Sequence, residues 1–100
     1  MIYQDDELLA FQDTHPKAPV HILIVPREHI PSVNDIEPEH VPVLGRMIHR
    51  ARHLASDAGV ALSGYRLVIN TGPDAGQSVP HLHLHLIGGR HLSFQFDDRT

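Results

Sequence analysis

Three histidines at alternate positions, His81, His83 and His85, are interleaved with Leu82, Leu84 and Leu86. In an extended strand successive side chains point to opposite faces, so the imidazoles line one face and the leucines the other. The leucine face calls for a core behind it, the imidazole face for water, an anion or a metal in front. Three readings compete for such a row. As the solvated side of an edge strand it has no chemistry to do. As a metal site it suffers from its own length. His81 and His85 lie four residues apart, so their Cα atoms are ~13 Å from each other along a strand. Zn–N bonds of ~2.0–2.1 Å cannot easily bring both rings to one ion. A two-histidine site completed by an Asp or His from another segment stays open. As a nucleophilic site on phosphorus the row gains from its order, because His83 has an imidazole on either side. Those neighbours can orient the attacking ring, neutralise phosphate oxygens or protonate the leaving group. Ahead of the strand, Gly72, Gly76 and Ser78 offer a flexible loop whose backbone N–H groups can cradle an anion. Nucleophile, anion loop and acid then all fall between Gly76 and His85. Phosphoryl chemistry is the reading that uses every part.

The elements that must hold this segment can be read from hydrophobic periodicity. Residues 7–11 form a short strand, ended by the turn-rich stretch 13–19. Residues 20–26 form a second, with His21, Leu23 and Val25 on one face and Ile22 and Ile24 on the other. From 37 to 58 the spacing becomes helical, with Val41, Leu44, Ile48, Ala51, Leu54 and Ala58 as the apolar stripe and Gly59 as the cap. Pro38 suits a first turn, but Pro42 does not suit the fifth position of the same helix, so the helix starts later or its first turn is irregular. Residues 65–70 form a third strand, and the histidine strand runs from His81 to Gly88-Gly89. Leu92, Phe94 and Phe96 repeat an apolar alternation, as a last strand or a partner contact. Strand, strand, long helix, strand, strand is the order of an α+β domain, an antiparallel sheet with the helix on one face. A sheet this small is expected to complete itself by dimerisation.

Composition narrows the partners. The chain has 100 residues, 41% hydrophobic and 20% charged, the profile of a single globular domain. A net charge of −4 argues against binding nucleic acid, which calls for a basic face. No stretch approaches the ~20 apolar residues of a membrane span, and an acidic N-terminus is neither signal nor transit peptide. Zero cysteines exclude disulfides and thiolate metal sites, and the default location is cytoplasmic. Ten histidines are the anomaly. His49 and His53, one helical turn apart, lack the glutamate of a zinc-protease motif and read as a solvated helix face; His15, His29, His40 and His91 receive no role.

Gly76-Gln77-Ser78-Val79-Pro80-His81-Leu82-His83-Leu84-His85-Leu86-Ile87-Gly88-Gly89-Arg90 resembles the signature of the histidine-triad (HIT) nucleotide hydrolases and transferases. Its Gly-Gln-Ser-Val opening and Gly-Gly-Arg ending resemble the Hint-like branch, the purine nucleoside phosphoramidases. Leu9-Ala10-Phe11-Gln12-Asp13, Ala18-Pro19-Val20-His21, Val25-Pro26-Arg27-Glu28-His29-Ile30 and Tyr65-Arg66-Leu67-Val68-Ile69-Asn70 follow the family in order, so the likeness covers roughly residues 7–90 of one HIT domain spanning 1–100. The resemblance implies an α+β protomer of about five antiparallel strands and one long helix, its sheet continued across a homodimer. It implies His83 as the nucleophile that takes the nucleotidyl group, His85 as phosphate contact and leaving-group partner, and His81 with His21 as a supporting relay. It places Ser78 and the Val79 backbone on the phosphate, with Asn70 and Gln77 nearby and Gly76 among the substrate-binding residues. Asp13 falls on the ribose hydroxyls, and Phe11 and Leu23 in the base pocket. The substrate implied is a purine nucleoside phosphoramidate or related nucleotide conjugate, with no cofactor. Dinucleoside polyphosphate hydrolysis, zinc-dependent hydrolysis at the His-x-His-x-His strand and a non-catalytic nucleotide-binding regulator are the alternatives. Many relatives carry an N-terminal segment, often with a Cys-x-x-Cys zinc half-site, that this sequence lacks, so no structural zinc is expected. Residues 92–100 also lack the Trp-Pro-Pro-Gly ending that shapes the leaving-group side in many Hint-like proteins.

Overall fold

In the computed structural model, which describes residues 1–94, the apolar alternations resolve into five strands and one long helix: β1 (Tyr3–Gln4), β2 (Leu8–Gln12), β3 (Val20–Pro26), α1 (Val41–Asp57), β4 (Tyr65–Val68) and β5 (Leu84–Gly88). The strands form one antiparallel sheet in the order β1-β2-β3-β5-β4. Register fixes what each face carries. Ile22 lies opposite Leu86, which in turn faces Leu67, while Phe11, Leu23, His85 and Val68 pair in a parallel row on the other side. Ile22, Ile24, Leu84 and Leu86 therefore share the core with Val43, Met47, Ala51, Leu54 and Ala55 of α1. The opposite face keeps His21, Leu23, Val25 and His85. One side of the sheet is spent on stability and the other is left for a site.

The helix answers the proline question. Pro38–His40 make a separate 3₁₀ turn, capped by Glu37 N–H donating to His40 Nδ1 at 2.9 Å, and the α-helix starts at Val41. Pro42 then falls in the first turn, where its missing N–H would have had no helical partner. At the other end Gly59 takes φ +78°, Val60 N–H reaches Ala55 O at 3.0 Å and Gly59 N–H reaches Ser56 O at 3.1 Å. That pair of bonds is the Schellman closure.

Two sequence expectations shift here. The buried stripe of α1 is Val43, Met47, Ala51, Leu54 and Ala55, whereas Val41 is 62% exposed and Ile48 53%. Both candidate stripes share Ala51 and Leu54, so periodicity alone could not choose; the sheet takes the side that brings Met47. The histidine strand also starts later than expected, at Leu84 rather than His81. The alternation nevertheless persists through the lead-in, because Leu82 N–H is anchored to Ile30 O at 2.7 Å and Leu82 stays 1% exposed.

β1 was not expected, being too short and polar to show periodicity. Asp5 makes it, accepting the amides of Glu7 and Leu8 at 2.8 and 2.7 Å on Oδ1 and the Tyr3 hydroxyl at 2.6 Å on Oδ2. That hydroxyl first, and then the turn amides, hold the Asp5 carboxyl below its usual range. No last strand forms at residues 92–94: Leu92 gives its carbonyl to Arg66, and Phe94 is 98% exposed. Phe96 lies outside the described residues. No helix among the described residues is long and apolar enough to cross a membrane.

Candidate active site

The histidine face is buried rather than wet. His83 is 5% exposed and His85 0%. Since β3 and β5 are neighbours, His21 stands diagonally across from His85, with Nε2 to Nδ1 at 2.9 Å. The chain of protons along these rings can be assigned. Lys17 N–H points at His21 Nδ1 from 3.0 Å, and a backbone amide can only donate. Nδ1 is thus the acceptor, and the proton of neutral His21 sits on Nε2. It is donated to His85 Nδ1, which leaves the proton of neutral His85 on its own Nε2. Asp13 closes the inner end. Its Oδ2 lies 3.5 Å from His21 Nε2, its side chain is only 8% exposed, and its Oδ1 accepts His15 N–H at 2.8 Å.

His83 is set with the opposite polarity. Its Nδ1 lies 2.7 Å from the carbonyl of His81, and a carbonyl can only accept, so Nδ1 holds the proton and Nε2 the lone pair. Nε2 is buried and has no hydrogen-bond partner among the described residues. Buried unpaired nitrogens are uncommon, and a reactive role is one recognised reason for them. The His83 and His85 rings stand 5.1 Å apart at a steep angle. A lone pair and an N–H donor therefore lie side by side.

His81 does not join this relay. Its Nε2 donates to Pro26 O at 2.8 Å, and its ring faces His29, Nδ1 to Nδ1 at 3.3 Å. What it supplies to His83 is a carbonyl, by way of the backbone. His29, given no role from sequence, is its ring partner; nothing in the spacing foretold that, since the two are brought together by the fold.

Two cavities meet at Val79. One of about 280 Å³ is lined by Phe11, Leu23, Val25, Val79, His81 and His83. The other, about 660 Å³, is lined by Asp13, His15, Lys17, Gly76, Gln77 and Ser78 along with Val79. The second falls in the ~300–1,000 Å³ range of ligand pockets. Val25 was missed, although the alternation that selected His21 and Leu23 also selects it. The loop that walls the polar cavity turns through Gly72 and Gly76 at φ +81° and +83°. The polar atoms of the Gln77 side chain are used within this region. Oε1 accepts Gly72 N–H at 3.0 Å, and Nε2 donates to Pro31 O and Val79 O at 2.8 and 3.1 Å. Gln77 holds the loop in shape, with Ser78 and Gly76 on the cavity wall. Asn70 lies half-buried just past β4 and lines neither cavity. His49 and His53 remain exposed on α1, their rings 4.8 Å apart.

Asp13, His21 and His85 offer ligand atoms within 4.8 Å of one another, the one such group among the described residues. The proton assignment speaks against a metal there. A metal-bound imidazole donates from its other nitrogen, whereas His21 Nδ1 already accepts from Lys17. Coordination at Nε2 would demand an imidazolate or the loss of that bond. The donor set suits proton transfer better than an ion.

Residues 1–92 match the family model described as the HIT domain. The chain is 52% identical over 92 residues to the purine nucleoside phosphoramidase of Escherichia coli strain K12, covering 92% of this chain and 77% of that protein. It is 43% identical over 96 residues to an adenylylsulfatase of Arabidopsis thaliana, covering 94% of this chain and 65% of the plant protein. A HIT family hydrolase from Legionella pneumophila has the same fold, with a TM-score of 0.93 at 41% identity over 96% of this chain and 86% of its own.

Proposed function

This chain belongs to the HIT-domain family, and from that premise we propose that it is a nucleotidyl hydrolase acting on purine nucleoside 5′-phosphoramidates or related nucleotide conjugates. The observation that carries the reading is the buried, unpartnered Nε2 of His83 beside the Nε2–H of His85. His83 Nε2 attacks phosphorus and forms a P–N bond. The bond from phosphorus to the leaving nitrogen, which takes its proton from solvent, breaks with the electron pair going to that nitrogen, and His85 Nε2–H hydrogen-bonds it as it departs. Water then attacks the nucleotidyl-His83, the P–N bond breaks with its pair returning to His83 Nε2, water's proton passes to solvent, and the nucleoside monophosphate leaves. His21 keeps His85 in the donating tautomer. The Ser78 hydroxyl and the backbone amides of Ser78 and Val79 take the phosphate oxygens, Asp13 takes the ribose, and the base lies against Phe11 and Leu23. No step needs a metal.

Adenosine 5′-phosphoramidate should be converted to AMP and ammonia in the presence of excess chelator, at an undiminished rate. Loss of activity to chelator with recovery on adding zinc would overturn the reading in favour of a metallohydrolase. Tight AMP binding without turnover would instead favour a nucleotide-binding regulator.

We further propose a homodimer with the sheet continued across the β4 edge. Strand β4 has a neighbour on one side only, and unpaired strand edges invite pairing. Val41 and Ile48 on α1 are also exposed apolar side chains. Sedimentation equilibrium should give twice the 11.2 kDa of one chain; a monomer at micromolar concentration would refute it.

A further inference from the structure

The Gly88-Gly89-Arg90 turn closes the signature, yet the chemistry above makes no use of it. Its place in the fold suggests a use. Arg90 donates from one guanidinium nitrogen to Lys17 O at 2.7 Å and from the other to His91 O at 3.0 Å. Lys17 in turn sends its N–H to His21 Nδ1 at 3.0 Å, and His21 bonds His85 at 2.9 Å. A continuous path thus runs from Arg90, just past the end of β5, through the 13–19 loop and back to His85 near the start of β5.

The loop needs that outside support. Its neck is closed by Asp13 N–H to His21 O at 2.9 Å, but Pro16 and Pro19 have no N–H to bind it internally. Gly89 lies flat against it. At φ +92° a Cβ on residue 89 would stand 2.9 Å from Pro19 Cβ and 3.4 Å from Val20 N. Only glycine permits both the backbone angle and the approach. Gly89 therefore sets the distance and Arg90 ties the carbonyl, so that residue 17 is fixed on both its N–H and its C=O sides.

We propose that Gly89 and Arg90 are positioning residues that clamp Lys17 and thereby lock His21, and through it His85, in the Nε2–H tautomer. Without the Lys17 amide, His21 can carry its proton on Nδ1 and present a lone pair to His85, which reverses the polarity of the relay. The rate consequence rests on the function proposed above; the tautomer consequence does not.

The test combines kinetics with ¹⁵N imidazole spectra of the free protein. Wild type should show protonated Nε2 and unprotonated Nδ1 for both His21 and His85. In Arg90→Ala those nitrogens should move toward averaged values, and kcat on adenosine 5′-phosphoramidate should fall by up to about 10²-fold with KM little changed. Arg90→Lys, which keeps a donor for Lys17 O, should recover most of both. Gly89→Ala should shift the spectra in the same direction. If Arg90→Ala does not fold, Arg90→Gln carries the same comparison. An unchanged imidazole spectrum in these variants would overturn the proposal, whatever the rate. Shifted tautomers in a protein whose wild type fails to turn over the phosphoramidate would uphold the clamp and defeat the assigned reaction.

Discussion

His83→Ala is expected to lower kcat on a nucleoside phosphoramidate by at least about 10⁴-fold, the scale seen when a nucleophile is removed and only binding and electrostatics remain. His85 cannot take over, because its Nδ1 is occupied by His21 and its Nε2 holds a proton. His81 cannot either, because its Nε2 is spent on Pro26 O and its Nδ1 faces His29. Of the ring nitrogens of His81, His83 and His85, only His83 Nε2 is both unprotonated and unengaged. Phe11, Leu23 and Val25 survive the substitution, so AMP should still bind. Full turnover by the alanine variant would remove the proposed nucleophile.

Backbone polarity also explains why these neighbouring histidines do different work. Each ring is set by what its second nitrogen meets: an amide for His21, another imidazole for His85, carbonyls for His83 and His81. Amides and carbonyls have fixed senses, so the backbone writes the tautomers. Four identical residues become a nucleophile, a donor, a relay and an outlier.

Much of this frame is legible in the residues. The run 20–26 is apolar, β-branched and bounded by prolines, and it forms β3 over those same residues. His21 and Leu23 share a face by alternation, and the sheet honours it. Other features depend on contacts between distant segments. The stripe on α1 was ambiguous because two registers share Ala51 and Leu54, and only the sheet could select Met47. His81 falls outside the strand, since Pro26 and His29, some fifty residues earlier in the chain, draw its ring away. The burial of the imidazoles, the Lys17 amide on His21 and the Arg90 clamp are tertiary, and no local pattern encodes them.

Leu86→Ala tests the other face of the same strand. Leu86 is 0% exposed and sits at the centre of the sheet, opposite Ile22 on β3 and Leu67 on β4, in one core with the α1 stripe. Truncating it removes buried methyl groups and leaves a void that neighbours on three elements can only partly fill, at a cost of about 2–5 kcal/mol. A domain of this size has roughly 5–15 kcal/mol in all. The melting temperature should therefore drop by roughly 10–30 °C, and urea unfolding should move to a lower midpoint with the same slope. A loss below about 1 kcal/mol would mean that the leucine face does not carry the fold as described. Below its melting range the variant should keep most of its turnover, because His83 and His85 point away from the void. His83→Ala should do the reverse. Its Nε2 is already an unsatisfied buried group whose removal relieves about 1–3 kcal/mol, which offsets the cavity it leaves. Two substitutions three residues apart in sequence would then separate stability from chemistry, because alternation places each on its own side of the sheet.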